Sequence, residues 1–164
     1  MLVSRNHCRR HPRGFTLIEL VTAITVFAVL TTLALPNFRQ FVANQRIRNV
    51  SFDLMAALTL ARSEAITRAT TISLLKGSTS WDQGWKVATS PTDPAPIQVQ
   101  AAYSNLLITD SASLGAVSYG RDGRATTTST KFTIAPSTPM TGVNSRCISI
   151  GLSGVPSSSV GACP

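Results

Sequence analysis

From Phe15 to Leu35 the chain runs for 21 residues with a single charged side chain, Glu19. At about 1.5 Å per residue, a helix over that run reaches roughly 30 Å, the thickness of a bilayer's hydrocarbon core. The run therefore calls for cover by lipid or by other chains. An ionisable side chain at that depth costs about 2.5–3.5 kcal/mol on insertion scales, so Glu19 is expected to serve a function. Arg5, Arg9, Arg10 and Arg13 precede the run. By the positive-inside rule that basic flank stays in the cytoplasm, and everything after the run lies beyond the inner membrane, in the periplasm.

The stretch Arg13-Gly14-Phe15-Thr16-Leu17-Ile18-Glu19-Leu20 resembles the type III signal of type IV pilins and type II secretion pseudopilins. The junction glycine, the phenylalanine after it, the glutamate and the apolar helix all lie in register. The resemblance implies that a prepilin peptidase cuts after Gly14 and methylates the new amino terminus at Phe15. A conventional secretory signal is cut after its apolar run; here the cut precedes it and the helix is kept. The helix would sit in inner-membrane lipid first and then enter a filament with other minor and major pilins. There Glu19 would meet the positive N-terminal amine of a neighbouring subunit, turning an insertion penalty into register selection. Pairing with the amine of its own chain is the alternative.

Loss of the leader changes what chemistry is available. The formal charge of +8 falls to +4 once residues 1–14 are gone, well short of a nucleic-acid charge patch. His7, His11 and Cys8 leave with it. That removes any histidine base and any His-rich metal site, and no phosphate-cradling Gly-x-x-x-x-Gly-Lys-Ser/Thr loop occurs. No catalytic residue, metal or cofactor is expected, and the chain is read as no enzyme. Cys147 and Cys163 remain, an even pair in an oxidising compartment, and are expected to form a disulfide. It would be worth about 3 kcal/mol and would pin a C-terminus that otherwise frays around the Pro/Ser-rich Val155–Ser159.

Pro36 ends the apolar run and is expected to kink or open the helix. Apolar residues then resume at three- and four-residue steps through Phe38, Phe41, Val42, Ile47, Val50, Leu54, Leu58, Ala61 and Ala65. One long helix is expected from about Thr16 to about Arg68. Short β-branched or alternating stretches follow at Thr70–Leu75, Trp85–Ala88, Ile97–Ala101, Leu106–Ile108, Ala116–Tyr119, Phe132–Ile134 and Arg146–Ile150. Seven strands after one helix predict an antiparallel β-domain packed on the helix's second half.

The stretch Leu60-Ala61-Arg62-Ser63-Glu64-Ala65, the Gly-Arg turn and Cys147-Ile148-Ser149-Ile150 resemble the GspH/FimT-type minor pilins. The fold class is thus α+β and pilin-like. A cleaved leader (1–14) precedes a transmembrane and filament-core helix (15–35), its amphipathic continuation (36–68) and a β-rich globular domain (69–164). The function implied is that of a minor type IV pilin, incorporated in a pilus or priming its assembly. A minor pseudopilin of the type II secretion system (H-type) is the runner-up within the class.

DNA binding for uptake is the alternative from another class. Tyr119-Gly120-Arg121-Asp122-Gly123-Arg124 reads as a hairpin turn in which both Asp122 and Gly123 accept positive φ. It would present Arg121 and Arg124 to phosphates. DNA-binding members of the resembled subfamily carry a Gly-Arg-x-Arg element after the Cys-Ile-Ser strand. Here that place reads Gly151-Leu152-Ser153-Gly154-Val155-Pro156, without arginine, which counts against DNA. Trp81 and Trp85 are expected in the core rather than on a stacking surface.

Overall fold

The computed structural model describes residues 14–127 and 129–164, apart from the side chains of residues 33, 34 and 36. The expected leader, except Gly14, lies outside the described residues. The described residues divide into two compact units, one ending at Phe38 and the other starting at Arg39.

Helix α1 runs from Leu17 to Thr67, within a residue of the expected bounds. The assignment continues through Pro36, whose side chain, and with it the expected kink, lies outside the described residues. In the first unit the apolar side chains are bare: Leu17 is 80% exposed, Phe27 68% and Leu30 59%. Thr22, Thr25, Thr31 and Thr32 each donate their hydroxyl to a carbonyl three or four residues back, which hides those polar groups against the helix itself. No single helix among the described residues is long and apolar enough to cross a membrane; Leu17–Thr32 and Asn37–Thr67 meet that test only taken together.

In the second unit the helix offers Ile47, Val50, Leu54, Leu58, Ala61 and Ala65 to the core, the stripe read from the sequence. Phe41, expected in that stripe, is instead 64% exposed. The strands are β1 (Ile72–Lys76), β2 (Trp85–Ala88), β3 (Gln98–Gln100), β4 (Leu106–Asp110), β5 (Ala116–Tyr119), β6 (Thr130–Pro136), β7 (Arg146–Ile150) and β8 (Pro156–Val160). They form two antiparallel sheets, ordered β3-β2-β1-β5 and β4-β6-β7-β8. Alternation sends Ile72 and Leu74 of the first sheet and Phe132 and Ile134 of the second into one core with the helix stripe. Trp81 packs edge-on to Phe132 at 4.9 Å and Trp85 lies 5.5 Å from Tyr103, so both indoles belong to the core as expected.

Strand β8 is the element the sequence reading lacked. Its Pro-Ser-Ser-Ser-Val composition carries no apolar alternation, but it pairs with β7 from Arg146↔Val160 to Ile150↔Pro156. Proline is tolerated because it opens an edge strand.

Candidate assembly site

Glu19 sits at the third position of α1. Its Oε2 accepts from the Thr16 backbone N–H at 3.0 Å and from the Thr16 hydroxyl at 2.8 Å, while Thr16 Oγ1 accepts the Glu19 N–H at 3.3 Å. This is a reciprocal capping box, which satisfies donors that the first helical turn leaves without partners. The carboxylate also lies where the positive end of the helix dipole favours it. Thr16 was missed as a functional residue, although Thr-x-x-Glu before an apolar run is the sequence signal for such a cap. Ahead of it, Phe15 is 78% exposed. Among the described residues, nothing lies within 4 Å of a Cβ built on Gly14.

Cys147 of β7 is bonded to Cys163, with Cα atoms 4.9 Å apart. The bond holds the chain just past β8, where the Cys163 N–H donates to Thr133 Oγ1 at 3.2 Å and the Gly161 N–H to the Ser145 carbonyl at 2.8 Å.

The turn after β5 differs from the expected hairpin. Gly123 alone has positive φ, at 72°; Asp122 does not. The Gly123 N–H bonds the Gly120 carbonyl at 2.8 Å, the Gly120 N–H bonds the Arg124 carbonyl at 2.9 Å, and Asp122 Oδ1 accepts the Arg124 N–H at 3.1 Å. Arg121 and Arg124 are both exposed on this turn. Beneath it, Arg62 of the helix donates from Nε to the Gly123 carbonyl at 2.9 Å.

Two tyrosines mark how tightly the unit closes. Burial pushes the Tyr119 phenol up to about 12, the nearby Arg62 guanidinium only partly opposing it. Burial and the hydrogen bond to Asp53 Oδ2, 2.8 Å long, raise Tyr103 as well. Among the described residues no group of three or more His, Cys, Asp or Glu could hold a metal.

The fold is shared with solved minor pilin and pseudopilin structures. The type IV minor pilin FimU of Pseudomonas aeruginosa (strain PAO1) superposes with TM-score 0.60 at 21% identity, over 68% of this chain and 91% of that one in one crystal form. A second crystal form gives 0.60 and 21% over 76% and 92%. The minor pseudopilin EpsH from the type 2 secretion system of Vibrio cholerae superposes with TM-score 0.51 at 12% identity, over 70% of this chain and 95% of that one. In the second unit a helix packed on two antiparallel sheets is the arrangement of the pilin fold. The family described as Type II transport protein GspH matches residues 52–154, and the prokaryotic N-terminal methylation motif matches residues 9–35. The chain belongs to the GspH family and is a minor pilin or pseudopilin of that type.

The type IV major pilin protein PilA of Myxococcus xanthus (strain DK1622) is 38% identical over 63 residues, which are 38% of this chain and 28% of that protein. Family membership makes the chain a structural subunit rather than an enzyme. The methylation motif implies processing by prepilin peptidase, and the pilin family implies assembly with other pilins.

Proposed function

We propose that the chain is a minor type IV pilin, cut after Gly14, methylated on Phe15, and held in the inner membrane with its C-terminal domain in the periplasm until it joins a pilus. The observation that carries this reading is the capping box on a bare apolar helix. Glu19 is held at the helix start, where the amine created at Phe15 would emerge, and the large apolar side chains described behind it, such as Ile24, Phe27 and Leu30, are exposed. Lipid and then neighbouring helices supply their cover. In the filament Glu19 pairs with a neighbour's amine and sets register. Pro36 is read either as the place where the helix opens so that subunits nest or as the point where the chain leaves the bilayer.

The secretion reading is favoured by the family's description as a type II transport protein. In that case the same chemistry would serve an H-type minor pseudopilin. Contact with DNA through Arg121 and Arg124 rests on their exposure alone and would be salt-sensitive.

The test is recovery of the full chain in sheared filaments. Wild type is expected there, and Glu19→Ala is expected to insert in the membrane yet be absent from filaments. Normal incorporation of Glu19→Ala would contradict the assembly role. Wild type found only with a secretion apparatus would favour the second reading. A DNA mobility shift abolished by Arg121→Ala with Arg124→Ala would favour the third.

A further inference from the structure

A cationic groove opens in the second unit. Phe41, Asn44 and Arg48 of α1 form one wall and Asn144, Arg146 and Val160 the other, around about 230 Å³. Asn44 fixes the walls to each other: its Nδ2 donates to the Gly142 carbonyl at 2.9 Å and its Oδ1 accepts the Asn144 N–H at 3.0 Å. Arg146 is half-buried, with Nη2 donating to Ser158 Oγ at 3.0 Å and Nε enclosed without a partner.

The positive charge here is not neutralised from within. Among the described residues the one ion pair is Arg68 with Glu64, so neither Arg48 nor Arg146 has a carboxylate partner. Between Glu19 and Asp53 the sequence holds Arg39, Arg46 and Arg48 and no acidic residue. A half-desolvated guanidinium without a counter-charge is costly, and a carboxylate accepting from it offsets that cost. Phe41 and Val160 stay 64% and 68% exposed at the groove. Aromatic side chains and arginine are the residues that protein interfaces concentrate at their centres. The volume lies below the roughly 300–1,000 Å³ of small-molecule sites, so the groove suits a side chain.

We propose that this groove receives an acidic side chain, flanked by apolar residues, from a neighbouring pilin subunit. Charge complementarity selects the occupant: the carboxylate meets Arg48 and Arg146, and its apolar flank covers Phe41 and Val160. The proposal rests on the filament reading above and names the contact by which the globular unit takes its place beside its neighbour.

The experiment places a photo-crosslinking benzoylphenylalanine at Val160 of the full chain in cells that assemble filaments. Irradiation is expected to join the chain to another pilin, through a peptide that contains Asp or Glu. The product is expected to fall at least fivefold with Arg48→Glu and Arg146→Glu together, and to persist with lysine at both positions. Thiol labelling of Cys147 and Cys163 checks that the charge-reversed chain folds. Where Arg146→Glu fails that check, Arg48→Glu, exposed on the helix, carries the comparison. A product with phospholipid only, a partner peptide without acidic residues, a product undiminished by charge reversal, or no product from filaments that contain the chain would each overturn the proposal. Absence of the unaltered chain from filaments would overturn the filament reading itself, and the groove proposal with it.

Discussion

Arg62, on the helix, donates from Nε to the carbonyl oxygen of Gly123 at 2.9 Å, 61 residues further along the chain. Gly154 closes on the same oxygen: a Cβ at that position would lie 2.5 Å from it. The helix stretch Leu60–Ala65, the Gly-Arg turn and the turn that follows Cys147–Ile150 therefore meet at one carbonyl. Two of the stretches through which the sequence resembles the GspH/FimT-type pilins, Leu60–Ala65 and the Gly-Arg turn, thus share one contact, and the turn after the third closes on it.

Removing the donor should therefore loosen the domain. A part-buried hydrogen bond from a charged group is worth about 1.5–3 kcal/mol, and Arg62→Ala is expected to cost that much. Arg62→Lys should recover only part of it, because lysine lacks the planar fork. Urea unfolding of a soluble form starting at Arg39 checks this: the midpoint should fall with the slope unchanged. A midpoint unmoved by Arg62→Ala would remove the contact from the list of structural ties.

The two glycines at this junction should respond unequally. Both hold positive φ, 72° at Gly123 and 77° at Gly154, so alanine is strained at either. At Gly123 the added Cβ meets the end of the Ile66 side chain, which can turn away; at Gly154 it meets backbone. Gly154→Ala is expected to destabilise by about 1–3 kcal/mol and Gly123→Ala by less. The reverse order in thermal unfolding would contradict the packing described.

Alkaline pH should unfold the domain through its tyrosines. A phenol of ordinary value near 10 is raised to about 12 at Tyr119, so the fold favours the neutral form. That contribution is complete below pH 10 and is lost as pH rises through 12. Tyr119→Phe removes a buried hydroxyl without a partner, so stability at pH 7 should stay within about 1 kcal/mol of wild type while the alkaline loss shrinks. Tyr103→Phe breaks the bond to Asp53 and should cost about 1 kcal/mol at pH 7. Equal behaviour of the two variants across the pH range would count against this assignment.

Opening the disulfide should be felt first at β8. Cys147→Ser with Cys163→Ser is expected to cost about 3 kcal/mol. Hydrogen exchange should show amides of β8 losing protection well before those of β6, which is flanked by β4 and β7. Uniform loss across both strands would mean that the bond supports the whole sheet rather than its edge.

What the sequence made legible was whatever local periodicity encodes. Strands β2, β5 and β7 were readable to the residue, and most of the helix stripe from Ile47 to Ala65 with them, because each carries its own apolar pattern. What depends on distant partners was not. Strand β8 owes its place to pairing with β7, to the Ser149–Ser157 hydroxyl contact of 2.8 Å and to the disulfide beyond it. Its own Ser-Ser-Ser says nothing of these. The division into two sheets likewise follows from non-local pairings such as β1 with β5. Phe41 has the spacing of a core residue, but it lies at the rim of the groove beside Val160 and stays 64% exposed. At the candidate site, Glu19 stood out as the single charge in an apolar run. Its partner Thr16 was legible as well, in the Thr-x-x-Glu spacing, but was passed over because a hydroxyl does not interrupt the hydropathy of the run.

Mass spectrometry of the mature chain tests the processing of this subunit most directly. The expected product has lost residues 1–14 and begins with an N-methylated Phe15. A mature chain that still carries its first 14 residues, or one cut elsewhere with Phe15 unmethylated, would contradict processing at Gly14 and the pairing role built on Glu19.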